Sequence, residues 1–500
     1  MAVQHPVPEH VDVLVVGAGL SGIGAACHLQ QELPGKTYAI LESRDAIGGT
    51  WDLFRYPGIR SDSDMFTLGY AFRPWNEPQS IADGAAIRRY IVETAEEYGV
   101  RDKIWFHHRV TSAEWSTDQS RWTITARRTD TGETVHLTCS WLSVCAGYYR
   151  YDEGYRPHFE SEEIFAGQLV HPQHWPEDLD VTGKRVVVIG SGATAVTLVP
   201  SLAEHAAHVT MLQRTPSYVL SLPGRDPLAS GLRKRLPATL AYPVVRWKNV
   251  LLSTLLFQFS RRRPAAARKL IRRLTAKQLP AGFEVDTHFN PPYDPWDQRL
   301  CLVPDGDLFR ALRRGRASIA TDRIARFTPD GIELESGGNL DAEVIVTATG
   351  LNLLPMGGME LVVDGTPVDI SETVSYKGMM ISGVPNFTMV IGYTNASWTL
   401  KADLVNSYVC RLLAHLDQHG YVSATPVAPP EGADEPFLDL ASGYVRRSLA
   451  SLPKQGSRKP WKLHQNYLRD VALMRRGPLE DEGMTFQRRQ PAASTGKAAA

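Results

Sequence analysis

Apolar residues in this chain fall into short unbroken runs, separated by stretches of helical periodicity. Residues 12–16 (Asp-Val-Leu-Val-Val) and 185–189 (Arg-Val-Val-Val-Ile) are apolar and β-branched almost throughout, the pattern of strands buried on both faces of a parallel sheet. Each run ends in a glycine-rich turn that opens a helical pattern, over residues 20–31 in the first case. Similar runs predict buried strands at 38–41, 142–147, 209–212, 341–350 and 385–393. Between residues 105 and 142 the pattern changes. Runs at 105–110, 122–127 and 134–142, with Asp130, Thr131 and Gly132 as a hairpin turn, predict a small antiparallel meander. Residues 86–98 read as an amphipathic helix and 399–416 as another, while 48–62, rich in glycine and bearing Pro57, predict an ordered loop. The repeated strand–glycine turn–helix unit predicts an α/β fold with two Rossmann-like dinucleotide-binding domains.

Composition sharpens this picture. The chain has 500 residues, enough for two or three domains with sizeable cores. Its 54 basic and 54 acidic residues balance, which argues against a nucleic-acid partner or an acidic substrate. Five cysteines at 27, 139, 145, 301 and 410 are scattered and odd in number, with no C-x-x-C pair. They predict neither a disulfide framework nor a metal site, and fit a reducing cytoplasm. The first dozen residues lack the basic and apolar parts of a signal peptide, and no apolar run reaches the ~18 residues of a spanning helix. Residues 224–297 read as an insertion in which 247–259 is strongly apolar and 261–273 strongly basic. The expectation is a helical cap packed on the core with a solvated basic face. Its alternative is a helical pair, 247–273, making peripheral contact with an anionic membrane. From Gln487 the chain is of low complexity, predicting a disordered tail over 487–500.

The two turns carry the first chemistry. Gly17, Gly19 and Gly22 stand at G-x-G-x-x-G spacing, for a tight turn, backbone approach to a pyrophosphate and close helix–strand packing. The helix that follows directs free N–H groups at the phosphates. Glu42, ending the next strand, is placed to hydrogen-bond a ribose hydroxyl. Gly190, Gly192 and the tolerated small residue Ala195 repeat the unit. Its second strand ends in Gln213 and Arg214 rather than an acid, and arginine there suits a ribose 2′-phosphate, so NADP is expected over NAD. Two nucleotide sites imply two nucleotides that must meet, with residues 165–176 between them as the hinge.

Three motifs then match a family. Phe165-x-Gly167-x-x-x-His171-x-x-x-Trp175-Pro176 resembles the fingerprint of Baeyer–Villiger monooxygenases, in the flavin-containing monooxygenase superfamily. The stretch from Gly48, Gly49 and Trp51 through Tyr56, Pro57 and Gly58 to Asp62 resembles their second motif, and Ala348, Thr349 and Gly350 a third. Residues 55–64, 393–403 and 452–457 resemble the mycobacterial, ethionamide-activating branch of that family.

The resemblance implies FAD on the first fold, NADPH on the second and O2 as co-substrate. It implies a split FAD domain (1–150 and 341–486), a fingerprint linker (151–182) and an inserted NADPH domain (183–340) bearing the helical insertion at about 224–297. Carried over, Ser21, Glu42, Thr50, Trp51, Asp52 and Leu53 contact FAD, Val110 meets its adenine edge, and Arg60, Ser61 and Asp62 join the cofactor site. Ser191, Gly192, Ala193, Thr194, Ala195, Val196, Gln213 and Arg214 would hold NADPH. The helix at 399 would point its positive end at the flavin ring.

The implied reaction inserts one oxygen of O2 beside a ketone carbonyl to give an ester or lactone, with sulfides or thioamides as further substrates. Arg299 stands where the family's catalytic arginine stands, with Asp62 as the acid that positions it. A permanently charged guanidinium suits a developing oxyanion. Gln298 departs from the pattern, because several family members carry lysine there to help hold the 2′-phosphate. Arg214 is therefore expected to act more alone. Phe165, Gly167, His171 and Trp175 are read as linker residues coupling domain movement to NADP binding. An N- or S-oxygenating flavin monooxygenase is the alternative. A reductase or oxidase would be expected to show a redox cysteine pair, which this sequence lacks.

Overall fold

The computed structural model describes residues 7–438 and 440–489. Two sheets organise it. The first is centred on His10–Val16, whose Val13, Leu14 and Val15 are fully buried, flanked in parallel by Tyr38–Leu41 and Thr134–Val144. The meander joins this sheet rather than forming its own. Thr134–Val144 pairs antiparallel with Arg121–Arg128 along its first half and parallel with His10–Val16 along most of its length. The runs predicted at 134–142 and 142–147 are therefore one strand. Its burial changes along its length, from alternating to continuous, as it passes from sheet margin to sheet centre. The run predicted at 105–110 is instead divided into Ile104–Trp105 and His108–Ser116, with His107 at φ +60° between them.

The second sheet is parallel throughout, in the order Ala317–Thr321, His208–Gln213, Arg185–Ile189, Val344–Thr347 and Gln168–Val170. Two of its strands move the expected boundaries. Gln168–Val170, expected in a linker over 151–182, is an edge strand of this sheet. Val344–Thr347, expected in the returning FAD domain from 341, pairs with Arg185–Ile189. A buried apolar run announces a strand but not its sheet. The chain crosses between the sheets at Tyr149–Gly154 and returns at Leu351–Leu353, and these two segments pair antiparallel.

The insertion forms the expected pair of helices, Ala238–Arg262 and Pro264–Ala276. The first is anchored by its inner face, where Arg246 donates to the carbonyls of Phe66 and Gly69 at 2.8 and 2.7 Å. The basic run is solvated as expected, with Arg262, Arg263, Lys269 and Arg273 exposed, but the apolar run is not wholly packed on the core, since Trp247, Leu251, Leu252, Leu255 and Phe259 are exposed. No helix among the described residues is long and apolar enough to cross a membrane. Gln487 and Arg488, expected to open a disordered tail, lie in Met484–Arg488, which pairs with Tyr421–Pro426. Residues 490–500 of that expected tail lie outside the described residues. All five cysteines are free and buried.

Helix Trp398–His419 packs against Leu20–Glu32, joining late and early parts of the chain in one core. At this seam His28 Nδ1 lies 2.7 Å from Glu32 and Nε2 lies 3.6 Å from Asp403. Burial alone would lower the His28 pKa, but the two carboxylates raise it to about 9. The protonated ring thus contributes stability that is complete below its unfolded value near 6.5 and is lost as pH rises through about 9. His28→Gln is expected to flatten that fall, which is on the order of 3 kcal/mol. Urea midpoints at about pH 6 and about pH 9.5 would show it, and an unchanged slope would refute the assignment.

Candidate functional site

Both glycine turns open onto one cavity of about 1150 Å³ between the sheets. Each turn is locked by close packing. A Cβ on Gly22 would fall 1.8 Å from the Gly17 carbonyl oxygen, and one on Gly190 (φ +138°) 2.3 Å from that of Ala348. The Ala348-Thr-Gly motif is thus the wall against which the second turn is built. The helices Leu20–Glu32 and Ala193–Leu202 begin at Gly19 and Gly192 with no side chain capping either N-terminus. Their first N–H groups face the cavity wall without a side-chain acceptor, as two phosphate sites require. At Gly192 a Cβ would meet nothing within 4 Å, which leaves that turn open to a ligand. The residues present therefore fit two bound dinucleotides.

On the first side, Gly17, Gly19, Ser21, Glu42, Thr50, Trp51 and Val110 line the cavity. Glu42 is buried and its Oε2 accepts from the Ala18 N–H at 2.7 Å, tying the acid to the turn. Thr50 Oγ1 lies 3.2 Å from the Tyr151 hydroxyl on the crossing strand. Asp52 and Leu53, expected at the cofactor, lie outside the cavity lining. Asp52 is instead a buried hub for three arginines, Arg44 (2.5 Å), Arg88 (2.7 Å) and Arg55 (3.7 Å). Leu53 packs against the core of the second sheet.

On the second side, Gly190, Ser191, Gly192, Ala193, Thr194 and Arg214 line the cavity, whereas Gly22, Ala195 and Val196 are buried behind the turns. Gln213 is a structural pin, its Nε2 donating to the His288 carbonyl (2.9 Å) and to Thr321 (2.8 Å). Arg214 is exposed and forms no ion pair among the described residues. Arg323 also lines this end. It follows the strand Ala317–Thr321, which runs beside His208–Gln213 with Gln213 opposite Thr321. Asp322 between these cations accepts from the backbone N–H of Arg323 and Ser336. Sequence reading missed Arg323, because only strand pairing brings it beside Arg214.

Between the two ends, Arg299 Nε lies 2.7 Å from Asp62 Oδ2, and both side chains are about one-third exposed, at 33% and 31%. The Asp62 carboxylate holds the Arg299 pKa above its ordinary value, against burial, which would lower it. Tyr148, Tyr149 and Tyr444 share this wall, and burial raises all three phenols well above their usual range. They stay neutral, so Asp62 is the anion that faces the guanidinium from this wall. Ser61 lines the cavity, while Arg60 turns away to Asp307 on the second sheet's side, 2.5 Å distant. Trp398, assigned no role in the sequence reading, lines the cavity and donates from Nε1 to Ser21 Oγ at 2.7 Å, bringing a late part of the chain against the first turn's helix.

Phe165, Gly167, His171 and Trp175 do not line the cavity. Phe165 packs on Phe327, and a Cβ on Gly167 would meet the Glu343 carbonyl oxygen at 2.4 Å. His171 Nδ1 accepts from the Gln173 N–H at 3.2 Å, and its ring lies against Gly154, where a Cβ would come within 1.9 Å of Cε1. Burial lowers the His171 pKa. Gln173, buried, donates to the carbonyls of Arg150 and Tyr151, both at 2.9 Å. The fingerprint is thus bolted to the crossing strand whose Tyr151 reaches Thr50.

Comparison with known proteins agrees with this geometry. A family profile described as flavin-binding monooxygenase-like matches residues 69–230, and one described as an NAD(P)-binding Rossmann-like domain matches 15–78. The chain is 56% identical over 483 residues to the FAD-containing monooxygenase EthA of Mycobacterium tuberculosis (strain ATCC 25618 / H37Rv), covering 96% of this chain and 98% of that protein. It is 50% identical over 485 residues to the putative FAD-containing monooxygenase MymA of the same strain, covering 96% and 98%. Among solved structures, an oxidized steroid monooxygenase bound to NADP superposes with TM-score 0.75 at 24% identity, over 96% of this chain and 100% of that one. Cyclohexanone monooxygenase in an open form gives 0.74 at 20% identity, over the same shares. At these identities the structures share the fold.

Proposed function

The chain belongs to the flavin-binding monooxygenase-like family and is a flavoprotein monooxygenase, and from that premise we propose a Baeyer–Villiger enzyme using FAD, NADPH and O2. Its product is an ester or lactone from a ketone, with sulfur compounds as further substrates. The observation that carries this reading is the Arg299–Asp62 pair at 2.7 Å, set in the cavity between both glycine turns.

Bound FAD and NADPH would supply the redox chemistry that activates oxygen. The protein's part is electrostatic and positional. The uncapped amides at Gly19 and Gly192 would hold the two pyrophosphates in the cavity that Arg299 also lines. Arg299 presents fixed positive charge to the carbonyl oxygen as it becomes an oxyanion, and Asp62 fixes the direction of its Nε–H. The neutral tyrosines exclude water from this wall. Arg214 and Arg323 take the NADPH 2′-phosphate, which Gln298 cannot pair.

To test the reading, protein reduced anaerobically with NADPH is mixed with labelled O2 and, in parallel reactions, with a ketone and with a dialkyl sulfide. An ester carrying one labelled oxygen supports it. Sulfoxide formation without ester favours the S-oxygenating alternative, and hydrogen peroxide as the only product points to an oxidase.

Alanine at Arg214 or at Arg323 is expected to lower the ratio of kcat/KM for NADPH to that for NADH by about tenfold each, the loss of a charge-assisted bond. A ratio unchanged in both variants removes these residues from the 2′-phosphate site. His171→Ala is expected to slow flavin reduction or divert oxygen to peroxide, with FAD retained. Loss of FAD and fold together would reject a coupling role.

A further inference from the structure

The insertion presents a surface that oxygenation does not use. Leu240, Val244, Trp247, Leu251 and Leu255 lie three or four residues apart along helix Ala238–Arg262 and are exposed, Leu240 and Leu255 by 60% and 66%. That spacing is one stripe of an α-helix. Leu252 and Phe259 widen it, and Leu270 and Leu274 are exposed one turn apart on the adjoining helix Pro264–Ala276. The stripe is not a symptom of a loose helix. The opposite face buries Tyr242, Val245, Arg246 and Val250, and Asn249 donates to Asp64 at 2.8 Å. A continuous apolar surface of this length on a soluble face marks an interaction site.

The charge of the segment selects the occupant. Residues 227–283 contain thirteen lysines and arginines and no aspartate or glutamate. Arg261, Arg268 and Arg272 reach acids just beyond this stretch, Asp297, Asp294 and Asp286. Arg262, Arg263, Lys269, Arg273 and Lys277 form no ion pair among the described residues. A second copy of the chain would set this acid-free surface against itself, and like charges would oppose the contact. An anionic lipid surface satisfies both features at once. Headgroups neutralise the cations, and the acyl boundary takes the leucines, with Trp247 suited to the level between them.

We infer that helices Ala238–Arg262 and Pro264–Ala276 form a docking surface for an anionic bilayer, on which they lie without crossing it. Asn249 on the inner face of the docked helix donates to Asp64, two residues along the chain from the Asp62 that pairs with Arg299. Substrates partitioned into the bilayer would then meet the enzyme at its surface.

The test is co-sedimentation of full-length protein with vesicles of phosphatidylglycerol and phosphatidylcholine in equal parts, and with phosphatidylcholine alone. Binding is expected to the mixed vesicles at low salt, to weaken at high salt and to be slight with phosphatidylcholine alone. The double variant Leu251→Ser/Leu255→Ser is expected to lower the partition coefficient about tenfold. The triple variant Arg262→Glu/Arg263→Glu/Arg273→Glu is expected to lower it about a hundredfold or more. Both should retain flavin content and the wild-type circular dichroism. Wild-type protein that stays in the supernatant with anionic vesicles at low salt overturns the inference. So does binding that both variants leave intact. A dimer in light scattering that the leucine variant dissociates, with no vesicle binding, would assign the stripe to a second copy instead.

Discussion

Arg299→Ala is expected to lower ketone oxygenation by about 10²–10³-fold, the loss typical of one preorganised oxyanion donor. FAD binding and reduction by NADPH should persist, because the glycine turns that hold the nucleotides do not depend on this side chain. The enzyme should then consume NADPH and release hydrogen peroxide in place of ester. Arg299→Lys should recover little. Its ammonium cannot reproduce an Nε–H donated to Asp62 together with planar NH2 groups left free to donate elsewhere. Asp62→Ala should fall between wild type and Arg299→Ala, since the charge remains but its direction is lost. Rapid-mixing measurement of flavin reduction, with product analysis in parallel, separates these steps. If Arg299→Ala forms ester at the wild-type rate, the oxyanion assignment fails.

Asp470→Ala is expected to destabilise the protein by about 3–5 kcal/mol, the range for removing one partner of a buried ion pair. Lys401 Nζ lies 2.8 Å from Asp470 Oδ2, and each side chain is only 5% exposed. The same oxygen accepts from the Tyr393 hydroxyl at 2.7 Å. Alanine would strand the buried Lys401 ammonium, on the helix Trp398–His419 that carries the cavity residue Trp398, together with the buried Tyr393 hydroxyl. The double variant Lys401→Met/Asp470→Leu removes both charges and should recover much of the loss, because apolar residues of similar volume often replace a buried pair without penalty. Urea denaturation followed by tryptophan fluorescence measures both. A single variant within about 0.5 kcal/mol of wild type would show the pair to be dispensable.

Much of the architecture was legible because it depends on local backbone demands. Gly17 at φ +103° and Gly190 at φ +138° occupy conformations that side-chain-bearing residues rarely adopt, so the turns are written in residue type at fixed spacing. Buried strands were equally visible as apolar runs. Arg299 and Asp62 were reached through motif resemblance, and the structure brings them to 2.7 Å.

Other assignments depended on contacts between distant parts of the chain. Asp52 is a hub for three arginines because Arg44, Arg55 and Arg88 converge on it, and nothing in the motif around it distinguishes a ligand from a hub. Gln213 stands beside Arg214 at a strand end, yet only packing against His288 and Thr321 turns it from the cavity. Trp398 meets Ser21, and Arg323 reaches the Arg214 end, across separations that no periodicity encodes. Val344–Thr347 has the same apolar pattern whichever sheet it joins. The chain's local pattern decides which backbone conformations and buried faces must exist. Which residues share a wall is decided by how those faces pack, since burial rewards apolar area without naming the partner that covers it.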